Sequence, residues 1–312
     1  MALPGFTDIR CGTLQNHPSV GFVELARPLK FNAFNAAMWR EFPAAVRAVE
    51  AIASVRAVLV FAEGRHFCTG IDIEFLKDTF LPFAQPPASR SEGLHDNGSS
   101  SGSRPGPNTP APTPACPGLA RESMRRGILG MQDAYSALER CRWPVIAAIH
   151  GSCIGGGIDL ITACDIRICS SDATFCVKEV DVAIAADLGT LQRLPTIVGH
   201  GAAMHLALTA QTVSAGEALR LGLVSRVVEG SGQEAVRSAG VALAAQMAAK
   251  PSLALLGTKR VLLHARDHSV EDGLDYVATW NSAMLLSNDL VDIMTHGRSK
   301  GSKAAERPRA KM

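Results

Sequence analysis

The sequence reads as an α/β protein, and three observations lead there. Short runs rich in β-branched and apolar residues recur, as at 19–26 (SVGFVELA), 55–62 (VRAVLVFA) and 144–149 (PVIAAI). Such runs make strands. Between the first two, Asn35–Ile52 carries apolar residues at helical spacing. The rhythm of strand, strand and helix then repeats, as in a sheet covered by helices.

The elements follow in order. The run at 144–149 is apolar throughout, the pattern of a strand buried on both faces. A helix is expected from about Gly157, opened by Gly155-Gly156-Gly157, and a further strand at Asp165–Cys169. From Ala202 onward the chain reads as mostly helical, with long periodic stretches at 235–249 and 270–295. The expected division is an α/β core over 1–200, a helical region over 201–298 and a basic tail over 299–312. The stretch 84–118 interrupts the core, and of its 35 residues 8 are Pro, 6 Ser and 5 Gly. That composition buries too little apolar surface to offset its ordering entropy. It is expected to be a disordered insertion, because a helical pattern resumes at about Arg121. A flexible loop is favoured there over a Pro-rich docking segment.

Composition narrows the class. With 312 residues and 47% hydrophobic content, the chain can bury a large core. A formal net charge of +2 gives no basic field that would call for nucleic acid. The longest apolar runs fall short of the ~18 residues that span a bilayer. The eight cysteines form no CxxC pair. Cys153, Cys164, Cys169 and Cys176 fall in apolar patterns and read as reduced core residues, which suits a reducing compartment. The start, MALPGFTDIRCG, carries neither a secretory nor an Arg-rich presequence pattern. The nine histidines show no ligand spacing, so no metal is expected. HExxH is absent.

Chemistry concentrates around the glycine triplet. Asp159, Glu179 and Asp187 sit in otherwise apolar surroundings. Buried carboxylates are costly unless paired or protonated, so three of them point to proton transfer. The triplet opens a helix whose free N–H groups favour negative charge. That charge could be a phosphate or a carbonyl oxygen becoming an enolate, but GxxxxGK[ST] and GxGxxG are both missing. The turn Arg65–Ile73 bends at Gly70 after a strand, and the Ile71 N–H is a candidate second donor. As alternatives, each acid could serve as a helix cap or surface charge, and the glycines could serve close packing. Asp165 and Asp172 read as structural, and Asp181 as a partner for Lys178 or Arg193.

Three segments resemble the enoyl-CoA hydratase/isomerase (crotonase) superfamily: Phe67–Ile73 (FCTGIDI), Val145–Asp165 (VIAAIHGSCIGGGIDLITACD) and Ala215–Val228 (AGEALRLGLVSRVV). Within it, Val177–Leu194 (VKEVDVAIAADLGTLQRL) and Ala265–Trp280 (ARDHSVEDGLDYVATW) resemble the branch that isomerises 3,5-dienoyl-CoA to 2,4-dienoyl-CoA. The resemblance implies a spiral of repeated β-β-α units and a C-terminal helical region that forms a trimer, or a dimer of trimers. It implies that the N–H groups of Ile71 and Gly156 bind the thioester oxygen. It implies CoA contacts from Arg27, Lys30, Asn32 and Ala33, with CoA part of the substrate and no separate cofactor.

The acids take roles by the same route. Glu179 matches a general acid/base of the family, and Asp159 the other catalytic carboxylate, usually Glu in hydratases. Asp187 stands where hydratases usually have Gly, and so favours the isomerase. Moving both double bonds needs a proton lost at C2 and one gained at C6, which two groups serve better than one. Glu179 is expected as the ionised C2 base and Asp187 as the protonated C6 donor. Asp159 is expected to pair with Asp187 and hold that proton. Enoyl-CoA hydratase is the alternative, and a non-catalytic binding protein of the same fold a second.

The chain ends Ala310-Lys311-Met312 after a polar, basic stretch, a tripeptide like the SKL address read by the peroxisomal import receptor. A peroxisome-type organelle (peroxisome or glycosome) is expected, with the mitochondrion as alternative.

Overall fold

The computed structural model describes residues 2–84 and 116–296. The insertion expected at 84–118 and the tail expected at 299–312 therefore lie largely or wholly outside the described residues. The first half contains β1 (Ala2–Leu3), β2 (Ile9–Leu14), β3 (His17–Leu25), α1 (Ala36–Glu50), β4 (Ala57–Ala62), α2 (Ile73–Ala84) and α3 (Pro117–Arg140). Then come β5 (Val145–Ile149), β6 (Ser152–Ile154), α4 (Gly156–Thr162), β7 (Ile166–Ser170) and β8 (Thr174–Cys176). A 3-10 turn at Glu179–Val182 leads to α5 (Thr190–Val198), α6 (His200–Thr209), β9 (Val213–Ser214), α7 (Ala215–Arg220) and β10 (Arg226–Val228). Four helices close the described chain: α8 (Gly232–Ala248), α9 (Ser252–His264), α10 (Val270–Met284) and α11 (Asn288–His296).

The large sheet has seven strands in the order β1-β2-β3-β4-β5-β7-β10, parallel from β3 to β10 and antiparallel at β1 and β2. Every residue of β4 and β5 is buried, as a parallel strand covered on both faces requires. Alternate β4 side chains divide between two clusters. Val58, Val60 and Ala62 face α1 and α3, whereas Ala57, Leu59 and Phe61 face α8. Gly240 lets α8 approach closely, since a Cβ there would lie 2.7 Å from Leu59 Cδ1. The smaller sheet, β6-β8-β9, is the second layer of the spiral. After β5 the chain turns at Gly151, with φ +54, and enters it through β6.

The expected elements are found with three differences. Helix α3 starts at Pro117, not near Arg121; proline at a first helical position loses no hydrogen bond. The periodic stretch 270–295 is two helices, because the Ser287 hydroxyl accepts the Leu290 amide and starts α11 afresh. The sheets also draw in β9, β10 and α8, so the core runs past residue 200.

Helix α9 is tied to that core by one charge. The buried Lys259 Nζ lies 2.7 Å from Asp165 Oδ2 and donates to the Leu138 and Trp143 carbonyls. Asp165 is thus structural, as is Asp172, which accepts from Ser170 Oγ and the Gly232 amide. All eight cysteines are free and all but Cys116 are buried. Among the described residues no single helix is long and apolar enough to cross a membrane.

Candidate active site

The site forms where the loop after β4 meets the start of α4. Two parallel bridges lock these segments: Cys68 pairs with Cys153, and Phe34 with Ile71. The Phe34 amide donates to the Gly70 carbonyl, and the Asp72 amide to the Phe34 carbonyl. That pattern turns the intervening Ile71 N–H the opposite way, and it has no hydrogen-bond partner among the described residues. The Gly156 N–H, at the first position of α4, has none either. Gly70 brings the two close, since a Cβ on it would lie 3.3 Å from the Gly156 nitrogen. Two unsatisfied amides side by side suit an oxygen that gains negative charge.

Glu179 begins the 3-10 turn after β8, and only 8% of it is exposed. Its Oε2 has no hydrogen-bond partner among the described residues. Burial, then the charges of Asp159 and Asp187, push its carboxyl up to about 7. Its Oε1 lies 3.4 Å from where a Cβ on Gly155 would stand. With φ +53 as well, position 155 favours glycine twice over.

Asp159 lies in the first turn of α4 and is buried. Burial pushes it up to about 6, opposed by Thr190 and reinforced by Asp187. Asp187 sits half-buried in the loop before α5, and burial raises its carboxyl above the usual range. One expectation needs correction. Asp159 forms no hydrogen bond to Asp187; its Oδ1 accepts the Thr190 amide at 2.6 Å. The first amides of α5 lack partners inside that helix, and Asp159 caps one of them.

The side chains of Arg27 and Asn32 form hydrogen bonds within the protein. Arg27 Nη1 bonds Asp72 Oδ2 at 2.7 Å and the Ala33 carbonyl at 2.9 Å. Asn32 accepts the Arg27 amide and donates to the Glu63 and His66 carbonyls. Arg27 braces the Ile71 turn through its neighbour Asp72, and Asn32 ties the Arg27 backbone to the segment Glu63–His66. Lys30 remains exposed, 3.6 Å from Glu74. Asp181 pairs with Lys178, whereas Arg193 pairs with Glu139.

Glu179 opens on an apolar cavity of about 470 Å³, lined also by Val177, Val180, Ile184, Leu191 and Met204. An acyl chain fits such a lining.

Two residues on α3 escaped the sequence reading. Gln132 Nε2 donates to the Asp187 backbone carbonyl at 2.6 Å. The fully buried Tyr135 hydroxyl has no partner among the described residues, and it would lie 3.0 Å from a Cβ on Gly156. Its ring is boxed by Phe34, Trp39 and Phe42. The only signal was its place in the buried stripe Met131, Ala134, Tyr135, Leu138. An unpartnered buried hydroxyl contributes nothing to offset its desolvation. Tyr135→Phe is therefore expected to leave stability within about 1 kcal/mol of the parent or slightly above it. A urea titration measures this; a larger loss would mean that the hydroxyl has a hidden partner.

Comparison with known proteins gives one direction. The enoyl-CoA hydratase/isomerase family models match residues 20–84 and 123–290. The peroxisomal Delta(3,5)-Delta(2,4)-dienoyl-CoA isomerase of Arabidopsis thaliana is 48% identical over 273 residues, covering 87% of each chain. The mitochondrial one of Homo sapiens is 41% identical over 288 residues, 92% of this chain and 77% of that one. An enoyl-CoA hydratase subunit of Geobacillus kaustophilus superposes with a TM-score of 0.74 at 25% identity, covering 96% and 99% of the two chains. A Thermobifida fusca protein solved in complex with CoA superposes with a TM-score of 0.69 at 30% identity, covering 89% and 93%.

Proposed function

This chain belongs to the enoyl-CoA hydratase/isomerase family, and we propose that it isomerises 3,5-dienoyl-CoA to 2,4-dienoyl-CoA in the oxidation of unsaturated fatty acids. The observation that carries the reading is Asp187, a third carboxyl whose charge acts on the buried Glu179 beside an apolar cavity. The two relatives at 48% and 41% identity, both dienoyl-CoA isomerases by name, support it.

The thioester oxygen rests on the N–H groups of Ile71 and Gly156. Ionised Glu179 takes the proton from C2, and the electron pair delocalises onto that oxygen and, through both double bonds, onto C4 and C6. Asp187 delivers a proton to C6, leaving double bonds at C2 and C4. Glu179 then carries the proton and Asp187 is ionised; exchange with solvent, which half-buried Asp187 reaches, restores the start. Asp159 holds the first turn of α5, and its charge raises the Glu179 carboxyl. Lys30 and the exposed Leu29 and Phe31 offer contacts for the CoA moiety.

Helix α10 buries none of its residues, and Leu262, Leu274, Leu286 and Met294 are exposed on the last helices. That apolar flank supports a homotrimer or a dimer of trimers. The relatives' names support a peroxisome-type organelle or the mitochondrion as the site of action.

Purified protein with a 3,5-dienoyl-CoA tests the reading, because the conjugated 2,4-product absorbs strongly. The expected result is a rise in absorbance, with kcat/KM climbing as pH passes about 7, where Glu179 ionises. No rise, with rapid hydration of a 2-enoyl-CoA instead, would make the protein a hydratase.

A further inference from the structure

The loop that carries Asp187 is held at its ends by backbone shape. Ala183 closes the 3-10 turn in the left-handed region with φ +63, and Gly189 opens α5 with φ +127. A Cβ on Gly189 would collide with Arg193 Nη1. Beside Gly189, the Thr190 amide is fixed on Asp159. Between these corners, Ala186 and Leu188 are buried and give the segment apolar anchorage.

Polar anchorage is scarce. Among the described residues, residues 185–188 receive one hydrogen bond from another element, the 2.6 Å bond from Gln132 Nε2 to the Asp187 carbonyl. It falls on the residue whose carboxyl has to reach C6. It comes from α3, which is packed against the core through Met131, Ala134, Tyr135 and Leu138 and so offers a rigid point of attachment. A backbone carbonyl needs a donor. Gln supplies one at every pH, whereas Glu would supply one only when protonated.

We infer that Gln132 is a positioning residue for the reaction, holding the Asp187 backbone so that its carboxyl meets C6 of the dienoyl chain. Gln132 touches no reacting atom in this arrangement; it acts through Asp187. The inference rests on the isomerase reading above. Misplacement of a reacting group by about 1 Å lowers a rate by up to about 10²-fold.

The test uses the full chain with three proteins: the parent, Gln132→Leu and Gln132→Glu. Two rates are read for each in deuterated water with a 3,5-dienoyl-CoA. One is formation of the 2,4-product by absorbance; the other is exchange of the C2 hydrogen by mass spectrometry. C2 exchange needs Glu179 and the two amides but not Asp187. In Gln132→Leu, product formation is expected to fall about 10- to 100-fold, with KM and C2 exchange within a few-fold of the parent. Gln132→Glu should retain product formation on the acidic side and lose it as its own carboxyl ionises, moving the pH profile. A Leu variant with both rates unchanged overturns the inference. So does a Leu variant in which both rates fall together, which would mark general damage to the site. If the parent itself forms no 2,4-product, the isomerase reading fails and this role for Gln132 fails with it. A parent that works beside an indifferent variant fails the Gln132 role alone.

Discussion

Asp187→Asn is expected to lower product formation from 3,5-dienoyl-CoA by about 10²–10⁴-fold, the usual contribution of a positioned acid. The amide matches the carboxyl in size and leaves the Gln132 bond to the backbone in place. It has no proton to give at C6. The anion formed at C2 then has only one way back, by return of the proton from Glu179. C2 exchange should therefore persist while isomerisation stops, and binding of a saturated acyl-CoA should stay within a few-fold. Absorbance, mass spectrometry and calorimetry read the three quantities separately. Unchanged product formation would take Asp187 out of the mechanism.

Glu179→Gln should behave differently in two respects. Product formation falls by a similar factor, about 10²–10⁴-fold, but C2 exchange falls with it, since no base remains. Stability moves the other way. Burial and the neighbouring carboxylates raise the folded-state value of Glu179 from 4.5 to about 7. The folded chain thus holds a proton that the unfolded chain releases in that window. Stability is largest below the lower value, falls as pH rises through the window, and is lowest once both states are ionised. The neutral amide of the Glu179→Gln variant escapes that loss. Above about pH 7 the variant should be more stable than the parent, on the order of 3 kcal/mol by the size of the shift. Near pH 4.5 the two should be close. Urea unfolding at both pH values checks this; an equal stability at high pH would mean that the carboxylate is not strained by its surroundings. Loss of activity with gain in stability is the pattern expected of a group kept for chemistry.

Fold and site differ in how far the sequence discloses them. Strands at 57–62 and 145–149 were legible because every residue is buried and the runs are β-branched and apolar. Strands β9 and β10, of two and three residues, are too short to carry a period, so the core appeared to stop early. The break at 285–287 lacks Gly and Pro and continues the apolar pattern, so its one signal is the capping residue Ser287. At the site, the three acids stood out from apolar neighbours, and the resemblance gave them roles. Their bonding did not show. Asp159 meets Thr190 across 31 residues, a juxtaposition made only by packing α4 against α5. Arg27 and Asn32 were expected as CoA contacts because their stretch resembles the family's CoA-binding segment, and the bonds of their polar groups inside the protein did not show in the sequence. Gln132 is one polar residue among many on a long helix, and only its partner gives it meaning.

The Lys259–Asp165 bond has a consequence for how the protein breathes. A buried ion pair that loses one partner leaves a bare charge behind, so the pair separates only when the surrounding core opens. The part of helix α9 around Lys259 is therefore expected to open with the core, which hydrogen exchange would show as slow amides there. Helix α10, with no buried residue in the single chain, has no such tether. It can detach in a local excursion well below the global free energy. The dividing line between slow and fast opening thus falls after His264, well inside the helical region, at the last residue of the helix that one lysine pins down.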